Sequence, residues 1–384
     1  MGYSMKKFIC IVVVLAFAFL PLFPADFAKA EGQEGSAAEI LFEAETGQVL
    51  YSKNPDKKLA MASVTKTMTL LLIAEAIQSG EMSLDEKVRA STNAFGAEGS
   101  VIWLEAGEEM SAAELIEAVV VSSANDACIA LAEHLAGSEA AFVKMMNVRA
   151  KELGLKNTRY TNCVGYDENG HYSTARDIAV LTAKLMEYEV LRSYWLIWLD
   201  YLRGGETQLV NTNKLVRYYN GIIGGKTGTT DGAGYCLTVC AERKDMKFVA
   251  VALGCKSDDE RFDRCEALLD YGFDNYQKFT PEQEFSKLLP IKVVRGAQTE
   301  IVPIIEQQGV ECIIKKGSAG RVEYEYSFVE EVEAPVERGQ FLGEYLVTLD
   351  GEPVFRSDII ANEDIPRLDF WRCLGMVFGE IISM

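Results

Sequence analysis

The sequence predicts an α+β protein, followed by an all-β region and an amphipathic tail. Three observations carry that prediction. Short apolar runs of strand character stand at both ends of residues 36–278, with helical periods between them. From residue 287 short alternating runs recur at regular spacing, separated by turn residues. The closing "FWRCLGMVFGEIISM" returns to a helical stripe, apolar on one side.

Length and composition bound the function. A chain of 384 residues, 49% apolar and 25% charged, suits two or three domains with their own cores. The formal net charge of -19 argues against nucleic acid as a partner, since affinity for phosphates rests on Lys and Arg. Residues 1–30 read as a signal peptide. Lys6 and Lys7 precede the apolar run "FICIVVVLAFAFLPLF", and Ala28, Lys29 and Ala30 supply a small-x-small cleavage pattern. An uncleaved membrane anchor is the alternative. Pro21 and Pro24, ahead of a well-formed cleavage site, favour cleavage before Glu31 and an extracytoplasmic protein. Beyond Cys10, the cysteines Cys128, Cys163, Cys236, Cys240, Cys255, Cys265, Cys312 and Cys373 form no Cys-x-x-Cys pair. His134 and His171 are the only histidines, so a Cys/His zinc site is not expected. Buried thiols, with no essential disulfide, are the expectation.

The elements follow in order. "AEILFEAETGQVLYS" reads as two strands about a turn at Thr46 and Gly47. "SVTKTMTLLLIAEAIQSG" is a largely buried helix stopped by Gly80, with Ser63 at its amino end. Ser111 and Glu114 have the spacing of a capping box for "AAELIEAVVV". That helix breaks at "SSAND", and another begins near Ala127. "SEAAFVKMMNVRAKELG" and "STARDIAVLTAKLMEY" are two more helices, the latter capped by Ser173 or Thr174. "IIGGKTGTT", "GYCLTVCAE" and "KFVAVALG" read as antiparallel strands, and "ERFDRCEALLDYGF" as a helix. Residues 31–280 thus form the α+β domain, 281–363 a small β-sandwich, and 364–384 an amphipathic helix. About 15 residues of helix are too few to cross a bilayer, which needs roughly 20. An interfacial anchor fits the stripe; a helix packed back onto the sandwich is the alternative.

Three short patterns carry chemistry. Ser63 and Lys66 form Ser-x-x-Lys, which places hydroxyl and amine one turn apart on a helix. Ser123 and Asn125 form Ser-x-Asn where one helix gives way to the next. Lys226, Thr227 and Gly228 form the chain's one Lys-Thr-Gly, on a strand. The first two patterns are cheap alone: Ser4 and Lys7 repeat one, and Ser91 and Asn93 the other. Their order on helix, loop and strand is what makes the set specific.

On these residues the chain resembles the serine-type D-alanyl-D-alanine carboxypeptidases, the low-molecular-mass penicillin-binding proteins. "AAEILFEAETGQVLYSKNPDKKLAMASVTKTMTLLLIAEAI", "LGLKNTRYTNCVGYDENGHYSTARDIAVL" and "GGKTGTTDGAGYC" are similar to family stretches. The resemblance implies a β-lactamase/transpeptidase-like catalytic fold, a second β-rich domain and a terminal membrane anchor. It implies Ser63 as nucleophile, Lys66 as its base and Ser123 as proton relay. Asn125 would hold the substrate amide, while Lys226 and Thr227 bind its terminal carboxylate, with Gly228 and Thr229 also in the substrate site. Backbone N–H groups of Ser63 and Thr229 would form the oxyanion hole. Burial and a nearby cation, Lys226, are expected to lower the Lys66 pKa. Arg261 would assist at the carboxylate, or merely pair with neighbouring acids in "SDDERFDR". Some relatives carry histidine directly after Lys-Thr-Gly, where this chain has Thr229.

The expected substrates are peptidoglycan stem pentapeptides, with β-lactam antibiotics as covalent inhibitors and a membrane surface as a further partner. No metal or organic cofactor is implied. Neither histidine supports a Ser-His-Asp triad: His134 lies late in a helix and His171 precedes a helix cap. Rival readings are a D,D-endopeptidase, a class A β-lactamase and a silent penicillin sensor. The lactamase needs a Glu-x-x-Leu-Asn loop that is absent between the second and third patterns.

Overall fold

The computed structural model describes residues 35–369. Its centre is a five-stranded sheet in the order Val49–Lys53, Ala38–Glu43, Met246–Cys255, Gly234–Arg243, Ile222–Thr230. The first hairpin therefore joins strands two hundred residues later, all antiparallel. Ile40, Phe42, Val249 and Val251 face a cluster of helices, whereas Leu41 and Phe248 meet the last helix, Asp258–Asn275, beside Gly272. A sheet covered on both faces needs apolar side chains in both directions. That is why "KFVAVALG" reads as a near-continuous apolar run rather than an alternating one.

The helical side is built from Lys66–Ser79, Ala112–Val121, Asn125–Ala136, Glu139–Glu152 and Ala175–Leu185. Lys66–Ser79 is buried around most of its circumference, as expected of a helix in the middle of a core. Gly80 ends it at φ 80°, a left-handed position that glycine adopts without steric cost. Ser111 and Glu114 form the capping box, and Thr174, not Ser173, caps Ala175–Leu185. Sequence reading missed the hairpin of Leu199–Leu202 and Thr207–Val210. Three of the four residues in its first strand are exposed, so no alternation marks it.

Tyr276–Phe279 then pairs with Cys312–Lys315, which starts the β region. A three-stranded and a four-stranded sheet follow, including the strand Glu352–Ile360, not singled out from the sequence. One core gathers Ile291, Ile301, Val336, Leu342 and Ile365. The other surrounds Tyr345, whose ring neighbours are Tyr324, Tyr326 and Phe355.

Residues 364–369, grouped above with the tail helix, are extended and tied to this region. Ile365 is fully buried and exchanges backbone hydrogen bonds with Val336 at 2.8 and 2.9 Å. An apolar side chain in the β core, and Pro366 after it, leave no helical start there. The amphipathic stripe from Phe370 and the signal segment lie outside the described residues. Among the described residues, no helix is long and apolar enough to cross a membrane. The seven described cysteines are free and buried.

Candidate active site

The site forms where the helical cluster meets the edge strand Ile222–Thr230. A 3-10 turn, Ala62–Thr65, carries Ser63 and runs straight into Lys66–Ser79. Lys66 is fully buried, and its Nζ donates to Ser63 Oγ at 2.8 Å, Asn125 Oδ1 at 2.6 Å and the Val164 carbonyl at 2.9 Å. Three acceptors satisfy the three ammonium protons. Burial nevertheless lowers its pKa to about 8, against the pull of Cys128, Cys163 and Asp126. About a tenth of the amine is then neutral at pH 7, and a neutral Nζ can accept the Ser63 hydroxyl proton.

Lys226 behaves differently from expectation. Burial and Lys226 together are expected to depress Lys66; burial does so, whereas the repulsion between the two amines tells on Lys226. Burial, then Lys66 and Arg261, hold Lys226 well below the usual lysine range. Its Nζ donates only to the Thr227 carbonyl, at 3.3 Å, among the described residues. An under-partnered buried cation next to a second one is built to receive an anion.

Ser123 stands at φ 63°, and its Oγ is buried with no hydrogen-bond partner among the described residues. A non-glycine residue in the left-handed region costs of order 1–3 kcal/mol and persists only where surrounding structure imposes it. Asn125, opening the next helix, is engaged on both sides: Oδ1 accepts from Lys66, and Nδ2 donates to the Glu98 carbonyl at 2.5 Å. Asp126 staples the facing segment, accepting from Ile102 N and Leu104 N.

On the strand, Thr227 Oγ1 donates to Thr212 Oγ1 at 2.7 Å. Arg261 reaches the strand's far side: Nη1 donates to the Gly228 carbonyl and Thr229 Oγ1, both at 3.0 Å, while Nη2 pairs with Asp258. Of the two readings of Arg261, the pairing with a neighbouring acid, Asp258, is seen. Its approach to the cleft runs through Thr229. A Cβ on Gly228 would lie 2.9 Å from Ser63 N. Only glycine lets strand and serine turn come this close.

Of the sequence-nominated residues, Ser63, Lys66 and Asn125 meet through direct hydrogen bonds and Gly228 by close approach to Ser63, while Arg261 and Thr229 bond to each other beside Gly228. The decoys separate. Ser91 caps the short helix Thr92–Phe95, and Asn93 binds Glu133 and Glu139. His134 pairs with Glu86 on the surface, and His171 meets Thr65 rather than Ser63.

Sequence reading missed a loop. Residues 161–168 supply the Val164 carbonyl to Lys66 and the Cys163 carbonyl to Thr69. Asp167 grips the strand end, accepting from Thr230 Oγ1 at 2.7 Å and Gly232 N at 2.9 Å. Gly165, at φ 101°, passes so near Ala62 that a Cβ would lie 1.9 Å from its carbonyl oxygen. Main-chain acceptors have no sequence signature, so only the family resemblance of the stretch marks it in the sequence.

A strand-edge cleft with a buried Ser–Lys pair and an under-partnered cation is the equipment of a serine hydrolase for carboxylate-ended substrates. A sequence model described as D-alanyl-D-alanine carboxypeptidase matches residues 26–257. A second, for the C-terminal domain of penicillin-binding protein 5, matches residues 276–367. The D-alanyl-D-alanine carboxypeptidase DacF of Bacillus subtilis is 38% identical over 379 residues, 96% of each chain. DacC of Escherichia coli is 33% identical over 380 residues, 94% of each. Among solved structures, penicillin-binding protein 5 from Haemophilus influenzae superposes with a TM-score of 0.78 at 27% identity. That match covers 86% of this chain and 98% of the other. The chain belongs to the D-alanyl-D-alanine carboxypeptidase family of serine peptidases.

Proposed function

We propose that the protein removes the terminal D-alanine from peptidoglycan stem pentapeptides through an acyl-enzyme on Ser63, and that penicillin acylates the same serine. The observation that carries this is the Lys66 amine, buried and 2.8 Å from Ser63 Oγ, where burial lowers its pKa to about 8. The substrate's carboxylate docks at Lys226, Thr227 and Thr229, with Arg261 behind Thr229. Lys66 takes the Ser63 proton as Oγ attacks the carbonyl carbon. Backbone N–H groups of Ser63 and Thr229 hold the oxyanion, and Asn125 holds the substrate amide. The C–N bond breaks, and Ser123 passes the Lys66 proton to the leaving D-alanine nitrogen. Water then attacks the ester carbon and gives its proton to Lys66; the ester C–O bond breaks, and Lys66 returns the proton to Ser63 Oγ.

Trimming in this way removes the donor that cross-linking needs. The leader pattern at residues 1–30 and the apolar stripe after 369 support an extracytoplasmic enzyme held at the outer membrane face by its tail. The test of the nucleophile is the intact mass after exposure to benzylpenicillin. A single penicilloyl adduct mapping to Ser63, absent in Ser63→Ala, is expected; an adduct on any other residue overturns the assignment.

A further inference from the structure

The buried ring of His171 touches the serine turn and has no part in the chemistry above. His171 is 5% exposed and comes from the segment just before the Thr174 cap. Thr161 N–H donates to its Nδ1 at 3.1 Å, so Nδ1 is the acceptor and the ring hydrogen sits on Nε2. Nε2 lies 2.7 Å from Thr65 Oγ1 and donates to it. The ring is held in that orientation by the edge of Tyr160, at 5.9 Å between centroids, and by its own backbone N–H on the Glu168 carbonyl. Burial outweighs Glu168 and Asp167 and keeps the ring neutral, with its pKa lowered to about 4.

Thr65 is wholly buried and lies between Ser63 and Lys66, at the junction of 3-10 turn and α-helix. No side-chain cap closes either element there, and Ala62 starts the turn at φ 50°. Beyond its own backbone bonds and the Thr67 hydroxyl on the Val64 carbonyl, contacts from outside help to fix the turn. We propose that His171 is a positioning residue for acyl transfer: its Nε2–H, held by Thr65, fixes the turn that sets Ser63 Oγ against Lys66 Nζ. The inference rests on Ser63 being the nucleophile. Because Thr65 is two residues from one reacting group and one from the other, a shift there moves the pair apart. A misplacement of about 1 Å costs up to ~100-fold in rate.

The test is single-turnover acylation by benzylpenicillin of the wild type, His171→Phe, His171→Gln, Thr65→Val and the His171→Phe/Thr65→Val double variant. Each is assayed well below its own unfolding temperature. His171→Phe and Thr65→Val are expected to slow acylation by roughly 10- to 100-fold, with the dissociation constant for penicillin little changed. The double variant should be no slower than the slower single one, and the amide donor of His171→Gln should recover most of the rate. The inference is overturned if a folded His171→Phe or Thr65→Val acylates at the wild-type rate, or if the two losses multiply. A wild type that forms no adduct at Ser63 instead overturns the nucleophile reading, so the two failures are told apart.

Discussion

Lys66 has to hold a proton and give it up, and its surroundings set the balance. Three acceptors favour the ammonium, while complete burial opposes it, and the outcome is a pKa of about 8. If neutral Lys66 is the base, the penicillin acylation rate should rise about tenfold per pH unit from pH 6 and level off above about 8. A rate constant that is flat from pH 6 to 9 would contradict that role. Of the site's side chains, those belonging to short motifs were legible in the sequence, because Ser-x-x-Lys, Ser-x-Asn and Lys-Thr-Gly each place particular groups at fixed spacing. The Val164 carbonyl and the His171 ring were not. Any residue offers a carbonyl, and the contact from His171 to Thr65 spans 106 positions. The source of the lysine shifts was legible only in part: burial of Lys66 could be expected from its largely apolar helix, but that the mutual repulsion falls on Lys226 had to be seen.

The loop of residues 161–168 joins elements that the motifs leave separate. It touches the serine helix through Val164 and Cys163, the Ser-x-Asn side through Tyr166 and Glu98, and the strand through Asp167. Asp167 is exposed, so its bonds to Thr230 and Gly232 contribute little to global stability. They hold the loop against the strand. Asp167→Ala is expected to slow acylation roughly tenfold while moving the unfolding temperature by no more than a few degrees. Unchanged acylation kinetics in that variant would show that the clasp is dispensable. Helices and long strands were readable because caps and burial write themselves into periodicity, as at Ser111 and Gly80. The hairpin of Leu199–Leu202 and Thr207–Val210 escaped because its first strand is mostly exposed and its second turns Thr207 inward and Val210 outward, against their polarity.

At the scale of the molecule, residues distant in sequence share one sheet, with Ala38–Glu43 beside Met246–Cys255. That juxtaposition brings the serine helix and the Lys-Thr-Gly strand to one cleft, and composition alone does not reveal it. The end of the β region also sets where the tail can be cut. Removing residues 370–384 should release the protein from membranes with its activity intact. A cut at 364 should also lower stability, because Ile365 leaves the core and loss of such a side chain costs about 2–5 kcal/mol. Membrane retention of the shorter deletion would refute the anchor. The measurement that bears most directly on the whole account is D-alanine release from a diacyl-Lys-D-Ala-D-Ala tripeptide. It compares protein beginning at Glu31 with its Ser63→Ala variant. Release by the first and none by the second is predicted; D-alanine released equally by both, or by neither, would contradict a carboxypeptidase acting through Ser63.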